Sequence, residues 1–199
     1  RRLRSAGFDG VQLHGAHGYL LAQCLSPLRN LRQDEFGGNL DNRSRFTLEV
    51  LAAVRAEVGA DWPVMIKLNA HDFLEGSTTE RDSTHLAAAL AAAGIDAIEV
   101  SGGTGGSGKL GAARRHIETA KDEAYFLPQA RAIRAAAPGV PLMLVGGMRS
   151  LETIESVIAS GVAEGATQSG YESAVAVLKP SLTTMRAWPA GSGAPAVTV

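Results

Sequence analysis

Cysteine is almost absent from this sequence, which contains one, Cys24, among 199 residues. A single cysteine excludes an internal disulfide framework, a cysteine-ligated cluster and a cysteine zinc site within the chain. The net charge of -1 argues against a nucleic-acid or polyanion binder, which usually carries a basic face. Apolar runs are also short, and none approaches the ~18 residues that cross a bilayer. We therefore predict a protein that binds neither nucleic acid nor membranes.

The first residues lack the features of a secretion signal. The opening RRLRSAGFDG has no apolar core. It has no Met and reads as the end of a helix inside a longer protein. From these absences we predict a cytoplasmic protein, in which assembly into a homo-oligomer stays open.

Short apolar runs alternate with segments of helical spacing, and 45% of the residues are hydrophobic. Four runs are typical of buried parallel strands, namely 9–14 (DGVQLH), 64–69 (VMIKLN), 96–101 (DAIEVS) and 142–147 (LMLVGG). Between them, apolar residues recur at helical spacing and glycines follow, as at Gly59 and Gly94. Ser150 is a predicted N-cap for a helix that ends near Gly161. This alternation predicts an α/β fold with a parallel sheet.

One helix-to-strand joint recurs along the chain. AGFDGVQLHG at Ala6 and AGIDAIEVSG at Ala93 share a helix-ending glycine, an aspartate two residues on, a strand and a glycine. SGVAEGATQSG at Ser160 repeats this frame with a weaker strand. The repetition favours a (β/α) barrel, although a doubly wound sheet stays open. In both folds ligands bind where strands end, which is where His14, Lys67, Ser101 and Gly146 fall.

The stretch HGAHGYL places His14, His17 and Tyr19 at such a strand end, and three interpretations stay open. The histidines could cap local turns. They could ligate a metal, for which His71 is the plausible third ligand, since a catalytic metal needs about three protein ligands. They could instead donate two hydrogen bonds to one oxyanion, with Tyr19 as a proton donor that stays protonated at neutral pH.

Two glycine-rich turns and one lysine are further candidates. The loop 101–111 (SGGTGGSGKLG) matches phosphate-loop spacing, but Leu110 replaces the required hydroxyl, so we predict an active-site loop. Gly146 and Gly147 precede a helix and can bind phosphate through backbone N–H groups. Lys67 ends a buried strand, which indicates a functional cation against an electron-rich ligand edge. The charges of residues 29–46 are predicted to pair with one another and fix a long loop.

These motifs together resemble one family. Residues 14–46 (HGAHGYLLAQCLSPLRNLRQDEFGGNLDNRSRF) closely resemble the signature of the Old Yellow Enzyme family of FMN-dependent NAD(P)H:flavin oxidoreductases. VMIKLNAHDF, IEVSGGT and LMLVGGMRSLETIESVIASGVAE resemble its next segments in order, so the resemblance covers about residues 1–165. It implies part of a TIM (β/α)8 barrel, about strands 4 to 7 or 8, that holds FMN. It also implies that hydride passes from NADH or NADPH through the flavin to an activated alkene.

The resemblance implies a role for each candidate residue. His14 and His17 would bind the carbonyl or nitro oxygen of the substrate, an α,β-unsaturated carbonyl or similar compound. Tyr19 would be the proton donor. Lys67 would lie beside the flavin N1–O2 edge, and Gly146 and Gly147 would bind the FMN phosphate.

The chain also departs from the family pattern. Family members begin with about three further strands and, after the position of Glu164, continue into a strand and an Arg-Pro turn that completes the phosphate site. Here residues 165–188 read GATQSGYESAVAVLKPSLTTMRAW, with no arginine at that place. We predict a partial FMN-binding barrel over residues 1–170 and a divergent, partly disordered tail over residues 171–199. The alternatives are a metal-dependent barrel hydrolase that uses His14, His17 and His71, and an inactive partial barrel.

Overall fold

The computed structural model describes residues 1–167 and the backbone of residues 176–178. The strands are β1 (Val11–Gly15), β2 (Val64–Asn69), β3 (Ala97–Ser101), β4 (Leu142–Leu144), β5 (Gly165–Thr167) and β6 (Ala176–Leu178). The helices are α1 (Arg2–Ser5), α2 (Leu20–Leu25), α3 (Leu40–Val58), α4 (Glu80–Ala92), α5 (Leu127–Ala136) and α6 (Leu151–Ala159). Two short 3-10 turns, Gly108–Leu110 and Ala120–Asp122, lie between β3 and α5.

The strands form one sheet in chain order, β1-β2-β3-β4-β5-β6. The first five are parallel, and β6 pairs antiparallel with β5. Each parallel strand lies next to its predecessor and a helix separates the two along the chain. A doubly wound sheet would reverse this order at a switch point, so the fold is part of a (β/α) barrel, as the repeated joint predicts.

Local capping explains where the main helices begin and end. The Asn39 side chain accepts from the Asn42 backbone N–H at 2.9 Å at the start of α3, which ends at Gly59 with φ +85°. Ser150 caps α6 as predicted, because its hydroxyl accepts from the Thr153 N–H. Helix α2 was not predicted from the sequence, which indicated only a long connection over residues 15–42.

The hydrophobic core lies between the sheet and its helices. Leu13, Ile66, Ile98 and Leu142 form one register row across β1 to β4, and all four are buried. Leu51, Leu86, Ile133 and Ile154, one from each of the four longer helices, are buried in the same cluster. Each buried side chain of this size contributes ~1.5–3 kcal/mol. The fold therefore depends mainly on this one face of the sheet.

Two sequence-based predictions lie outside the residues that the structure describes. They are the domain boundary at residue 170 and most of the predicted tail, 171–199. Within the described part, no helix is both long and apolar enough to cross a membrane.

Candidate active site

The candidate site lies on the face of the sheet opposite the helices. Side chains alternate between the two faces of a strand, so the residues between the core positions project to this other face. The strand register sets His14, Lys67 and Glu99 side by side on β1, β2 and β3. The parallel sheet therefore assembles polar groups that lie far apart in the sequence.

Glu99 is the counter-ion that the sequence reasoning missed. The Lys67 Nζ atom lies 3.0 Å from Glu99 Oε1, and the Gln12 amide donates to Glu99 Oε2 at 2.7 Å. Glu99 is buried, whereas Lys67 keeps part of its surface exposed. One acidic residue within the apolar run DAIEVS was the available signal, because a buried carboxylate requires a partner. Lys67 thus lies within β2, two residues before the strand ends at Asn69, and not at the predicted strand end, and Glu99 is its counter-ion.

The structure brings His14, His17 and Tyr19 together, as predicted. The rings of His14 and His17 have centroids 5.3 Å apart in an edge-on arrangement. The Tyr19 ring lies 5.0 Å from His14 and is 62% exposed. Two imidazoles and a phenol therefore border one open surface above the Lys67 row.

His17 is fixed by residues from the two neighbouring strands. It adopts φ +59°, an uncommon conformation for a residue with a side chain. Its backbone N–H donates to Asn69 Oδ1 at 3.1 Å, and its Nε2 atom lies 2.7 Å from Ser101 Oγ. Because Asn69 ends β2 and Ser101 ends β3, the sheet itself determines the orientation of the imidazole.

The Asn69 side chain is part of a buried network beneath His17. Its amide donates to Asp72 Oδ1 at 2.5 Å and to the Gly103 carbonyl at 3.0 Å. The other Asp72 oxygen accepts from Ser77 Oγ at 2.5 Å and from the Thr78 N–H at 3.3 Å. Sequence reasoning did not identify this network, because its members meet only in the folded loops.

Burial and the neighbouring Lys67 lower the pKa of both histidines and so favour neutral rings. Burial is the largest cause that lowers the pKa of His17, to about 4, followed by Lys67 and then His14. The pKa of His14 is also lowered, by burial first and Lys67 second, and Glu99 partly opposes this shift. A neutral imidazole has one N–H donor and one acceptor nitrogen, so each ring can offer one hydrogen bond to a ligand oxygen.

The loop after β3 lies beside this pair. His17 and Thr104 form an isolated parallel bridge, which places the glycine-rich stretch directly against the histidine turn. The Thr104 N–H donates to Ser107 Oγ at 2.7 Å, and residues Gly108–Leu110 form a 3-10 turn. The backbone of this loop thus forms hydrogen bonds with the loop's own side chains. The loop lines one side of the candidate site.

Gly146 and Gly147 follow β4, with φ +137° and +68°. A Cβ atom at Gly147 would lie 2.7 Å from Tyr125 Cε1, so the glycine allows the loop after β3 to pack closely here. The Glu123 carboxylate accepts from the Arg149 and Ser150 N–H groups at 2.8 and 3.0 Å, at the start of α6. This turn therefore already holds one carboxylate of the chain.

His71 does not join the histidine pair. Its ring stacks on Phe73 at 4.7 Å, and its Nδ1 atom accepts from the Phe73 N–H at 2.7 Å. Across residues 1–167, no three His, Cys, Asp or Glu side chains are arranged to hold a metal ion. This geometry does not support the alternative of a hydrolase whose metal is bound by His14, His17 and His71.

The charged segment 29–46 is structural, but its pairing differs in part from the prediction. Arg32 pairs with Asp34 inside the segment, and Arg45 donates to the Glu35 carbonyl at 2.8 Å. Arg43 instead pairs with Asp82 of α4 at 2.8 Å. The difference arises because Arg43 projects from α3 toward α4, which sequence spacing did not reveal.

The chain is similar to known proteins along most of its length. Residues 1–161 match the model of the NADH:flavin oxidoreductase / NADH oxidase family. The NADH-dependent flavin oxidoreductase iliE of Neonectria sp. (strain DH2) is 40% identical over 171 residues, which cover 82% of this chain and 22% of that protein.

Two solved structures share the fold. A 2-naphthoyl-CoA reductase in complex with 2-naphthoyl-CoA has a TM-score of 0.72 at 33% identity, over 80% of this chain and 24% of that one. The old yellow enzyme homologue from Zymomonas mobilis has a TM-score of 0.64 at 26% identity, over 82% of this chain and 43% of that one. This chain thus spans less than half the length of each of these relatives. By sequence and by structure, it belongs to the NADH:flavin oxidoreductase / NADH oxidase family.

Proposed function

We propose that this chain forms part of an FMN-dependent ene-reductase that uses NADH or NADPH. The main supporting observation is the cluster of His14, His17 and Tyr19 beside Lys67, which is paired with Glu99 on the neighbouring strand. Family membership supports this chemistry. The substrate class that fits is a small activated alkene, such as an α,β-unsaturated carbonyl compound, because its oxygen can accept two N–H donors.

The residues present fit a bound flavin by their chemistry. Lys67 offers a cationic donor suited to the N1–O2 edge, and Glu99 and Gln12 hold its row in place. Gly146 and Gly147 would face the phosphate through their backbone amides. When bound, FMN would supply the hydride, taken from NADH or NADPH, that reaches the β-carbon of the alkene.

His14 and His17 would polarise the alkene. Each neutral ring donates one N–H to the carbonyl oxygen, and these hydrogen bonds strengthen as negative charge develops on that oxygen. Neutral rings suit this role across the physiological range, because their donor count does not change with pH above the lowered pKa values. The pair therefore acts as an oxyanion clamp.

Tyr19 would donate the proton to the α-carbon of the substrate. Its hydroxyl stands on an exposed ring next to His14, at the N-cap position of α2. A phenol within reach of the substrate can act as a general acid at neutral pH. A cytoplasmic location is also part of the proposal, and assembly into a homo-oligomer stays open.

Flavin binding tests the proposal directly. Purified protein is incubated with FMN and Zn²⁺ and desalted, and its visible absorbance and metal content are then measured. Retained flavin absorbance is the expected result. Stoichiometric zinc without flavin would show that the metal-site alternative is correct.

Substitution of Lys67 tests the proposed flavin site more specifically than flavin binding alone. We expect Lys67→Met combined with Glu99→Gln to bind FMN about tenfold more weakly, since one hydrogen bond to a charged donor is worth about 1.5 kcal/mol. Glu99→Gln alone is the matched control and keeps the cation. Equal FMN affinity in the control and the double variant would contradict the role of Lys67.

A further inference from the structure

The side-chain hydroxyl of Ser101 has one hydrogen-bond partner in the described part of the chain, His17. The Ser101 hydroxyl lies 2.7 Å from His17 Nε2 and belongs to a residue that is 1% exposed. The structure brings no second acceptor to this hydroxyl among residues 1–167. The direction of the single hydrogen bond therefore determines whether both groups are satisfied.

Only one direction satisfies both groups. If the imidazole donated from Nε2, the buried Ser101 O–H would lack an acceptor, at a cost of about 1–3 kcal/mol. If Ser101 donates, its hydrogen is satisfied and Nε2 uses its lone pair. A neutral ring then carries its proton on Nδ1. Neutrality follows from the lowered pKa of His17, which burial dominates.

We propose that Ser101 is a positioning residue that holds His17 in the Nδ1–H tautomer, so that Nδ1–H is the donor of the oxyanion clamp. The tautomer follows from the hydrogen bonding of the free protein, whereas its catalytic use rests on the proposed function. Asn69 completes the arrangement, since it holds the His17 backbone N–H while Ser101 holds the ring.

Histidine ¹⁵N NMR tests the tautomer without flavin or substrate. Long-range ¹H–¹⁵N correlation spectra at pH 7 distinguish a protonated from an unprotonated ring nitrogen. In the unmodified chain we expect His17 Nδ1 to be protonated and Nε2 unprotonated. In Ser101→Ala we expect the protonated fraction to move toward Nε2, the tautomer that free imidazole side chains favour.

Two further variants separate this role from general stability. Ser101→Thr keeps a hydroxyl and should keep the Nδ1–H tautomer. Ser107→Ala removes another buried hydroxyl of the same loop, one that contacts Thr104 and Asp72 but not His17, and should also keep it. A protonated Nε2 in the unmodified chain, or an unchanged tautomer in Ser101→Ala, would overturn the proposal.

A kinetic readout connects the tautomer with the reaction. With flavin bound, Ser101→Ala should raise the substrate KM about tenfold, the ratio that corresponds to about 1.4 kcal/mol. The rate of flavin reduction by NADH should stay within about twofold, because no hydride passes through His17. An unchanged KM together with a changed tautomer would limit Ser101 to a structural role and refute its place in the clamp.

Arg114 supports a second, independent inference. Its guanidinium carbon lies over the rings of Tyr125, Phe73 and Phe126, at 4.3, 5.2 and 5.3 Å from their centroids. Its Nε atom is buried and has no hydrogen-bond partner in the described part of the chain. No carboxylate among residues 1–167 pairs with it, and burial lowers its pKa.

The position of Arg114 relates it to ligand binding. Phe73 follows β2, and the loop that carries Arg114 and Tyr125 follows β3, so the cation lies at the carboxyl ends of the strands. A partly buried charge without a counter-ion is costly, and a bound anion relieves that cost. Guanidinium groups bind phosphate and carboxylate oxygens strongly. We propose that Arg114 is an anion site for an oxyanion of the phosphate class.

Inorganic phosphate is the probe for this site. The Arg114 Nε–H resonance should shift saturably with phosphate at constant ionic strength, and Arg114→Gln should abolish this response. Arg115→Gln, which replaces the exposed neighbouring arginine, should retain it. A response limited to Arg115, or no saturable response, would refute the site.

A comparison of flavins identifies the source of the oxyanion. If the flavin phosphate occupies the site, Arg114→Gln should weaken FMN about tenfold and leave riboflavin, which lacks the phosphate, unchanged. Equal effects on both flavins, alongside a retained phosphate response in the unmodified chain, would assign the site to an anion of another ligand.

Discussion

Tyr19 is the residue whose chemistry can be separated most cleanly from that of its neighbours. The ring borders the histidine pair and is 62% exposed, so loss of its hydroxyl should leave the core intact. We expect Tyr19→Phe to slow alkene reduction by about 10²–10⁴-fold, the usual contribution of a positioned proton donor. Flavin reduction by NADH should change by less than about twofold. Stopped-flow measurement of the two half-reactions checks this, and equal losses in both would contradict a proton-donor role.

The lowered pKa of His17 has a consequence for stability. The unfolded chain takes up a proton near pH 6.5, whereas folded His17 does so only near pH 4. Within this window the unfolded state binds more protons, so the free energy of unfolding falls as the pH drops from about 6.5 to about 4. His14 acts in the same direction, because its pKa is also lowered.

Replacement of His17 should flatten that dependence. We expect the free energy of unfolding of His17→Asn to fall less steeply between pH 6.5 and pH 4 than that of the unmodified chain. Above pH 6.5 the two profiles should run parallel, since neither state then carries a proton at this position. Urea unfolding at a series of pH values measures both slopes, and identical slopes in the lower window would argue against a neutral, half-buried His17.

Among the elements, α3 and α4 are joined by a nearly buried ion pair. Arg43 and Asp82 have side chains only 9% and 10% exposed, and Arg43 also donates to the Leu25 carbonyl at the end of α2. Asp82 completes the capping box of α4 with Thr79. We expect Arg43→Met to reduce the free energy of unfolding by about 3 kcal/mol, because it leaves a buried carboxylate without its cation.

The same helix offers a control for this pair. Arg45 is exposed and donates to the Glu35 carbonyl, so Arg45→Met should change the free energy of unfolding by less than about 0.5 kcal/mol. Urea denaturation of both variants provides the comparison. Similar effects of the two substitutions would mean that the Arg43–Asp82 pair does not hold α3 against α4.

The elements were predictable where local signals agree with the tertiary fold. The four predicted strands were confirmed, because each apolar run buries at least one face in the core, and β3 is buried on both. Helix ends were predictable from Gly59, Gly94 and Gly161, which all adopt positive φ. Helix α2 was not predicted, because six residues are too few to show the regular spacing of apolar residues that indicates a helix.

The site was predictable only where it is local in sequence. His14, His17 and Tyr19 lie within six residues, and the resemblance identified them together. Glu99, Asn69 and Ser101 belong to the candidate site only through the fold. The parallel register of β2 and β3 places them there. The spacing of residues along the chain does not predict contacts between strands. The partners of a predicted site residue can therefore be identified only when the fold of the sheet is known.

At the scale of the molecule, the sheet has an edge at β1. In the described part of the chain β1 pairs with β2 alone. The side chains of Phe8, Leu20 and Leu31, before and after β1 in the sequence, are 57%, 63% and 79% exposed. An open edge beside exposed apolar groups promotes association with another chain. The relatives are more than twice as long as the region they share with this chain.

A fusion tests whether additional barrel strands complete the flavin site. The N-terminal barrel strands of the Zymomonas mobilis homologue, which the resemblance places before β1, are joined to Arg1. Because a (β/α) barrel binds its ligand with loops from many strands, we expect the fusion to bind FMN at least about tenfold more tightly than the chain alone. Sedimentation velocity should show less self-association, since β1 gains a neighbour. The fusion with Lys67→Met and Glu99→Gln should lose the added affinity, which would show that the new strands act through the site on β1 to β3. Unchanged FMN affinity and unchanged self-association in the unmodified fusion would contradict the partial-barrel interpretation.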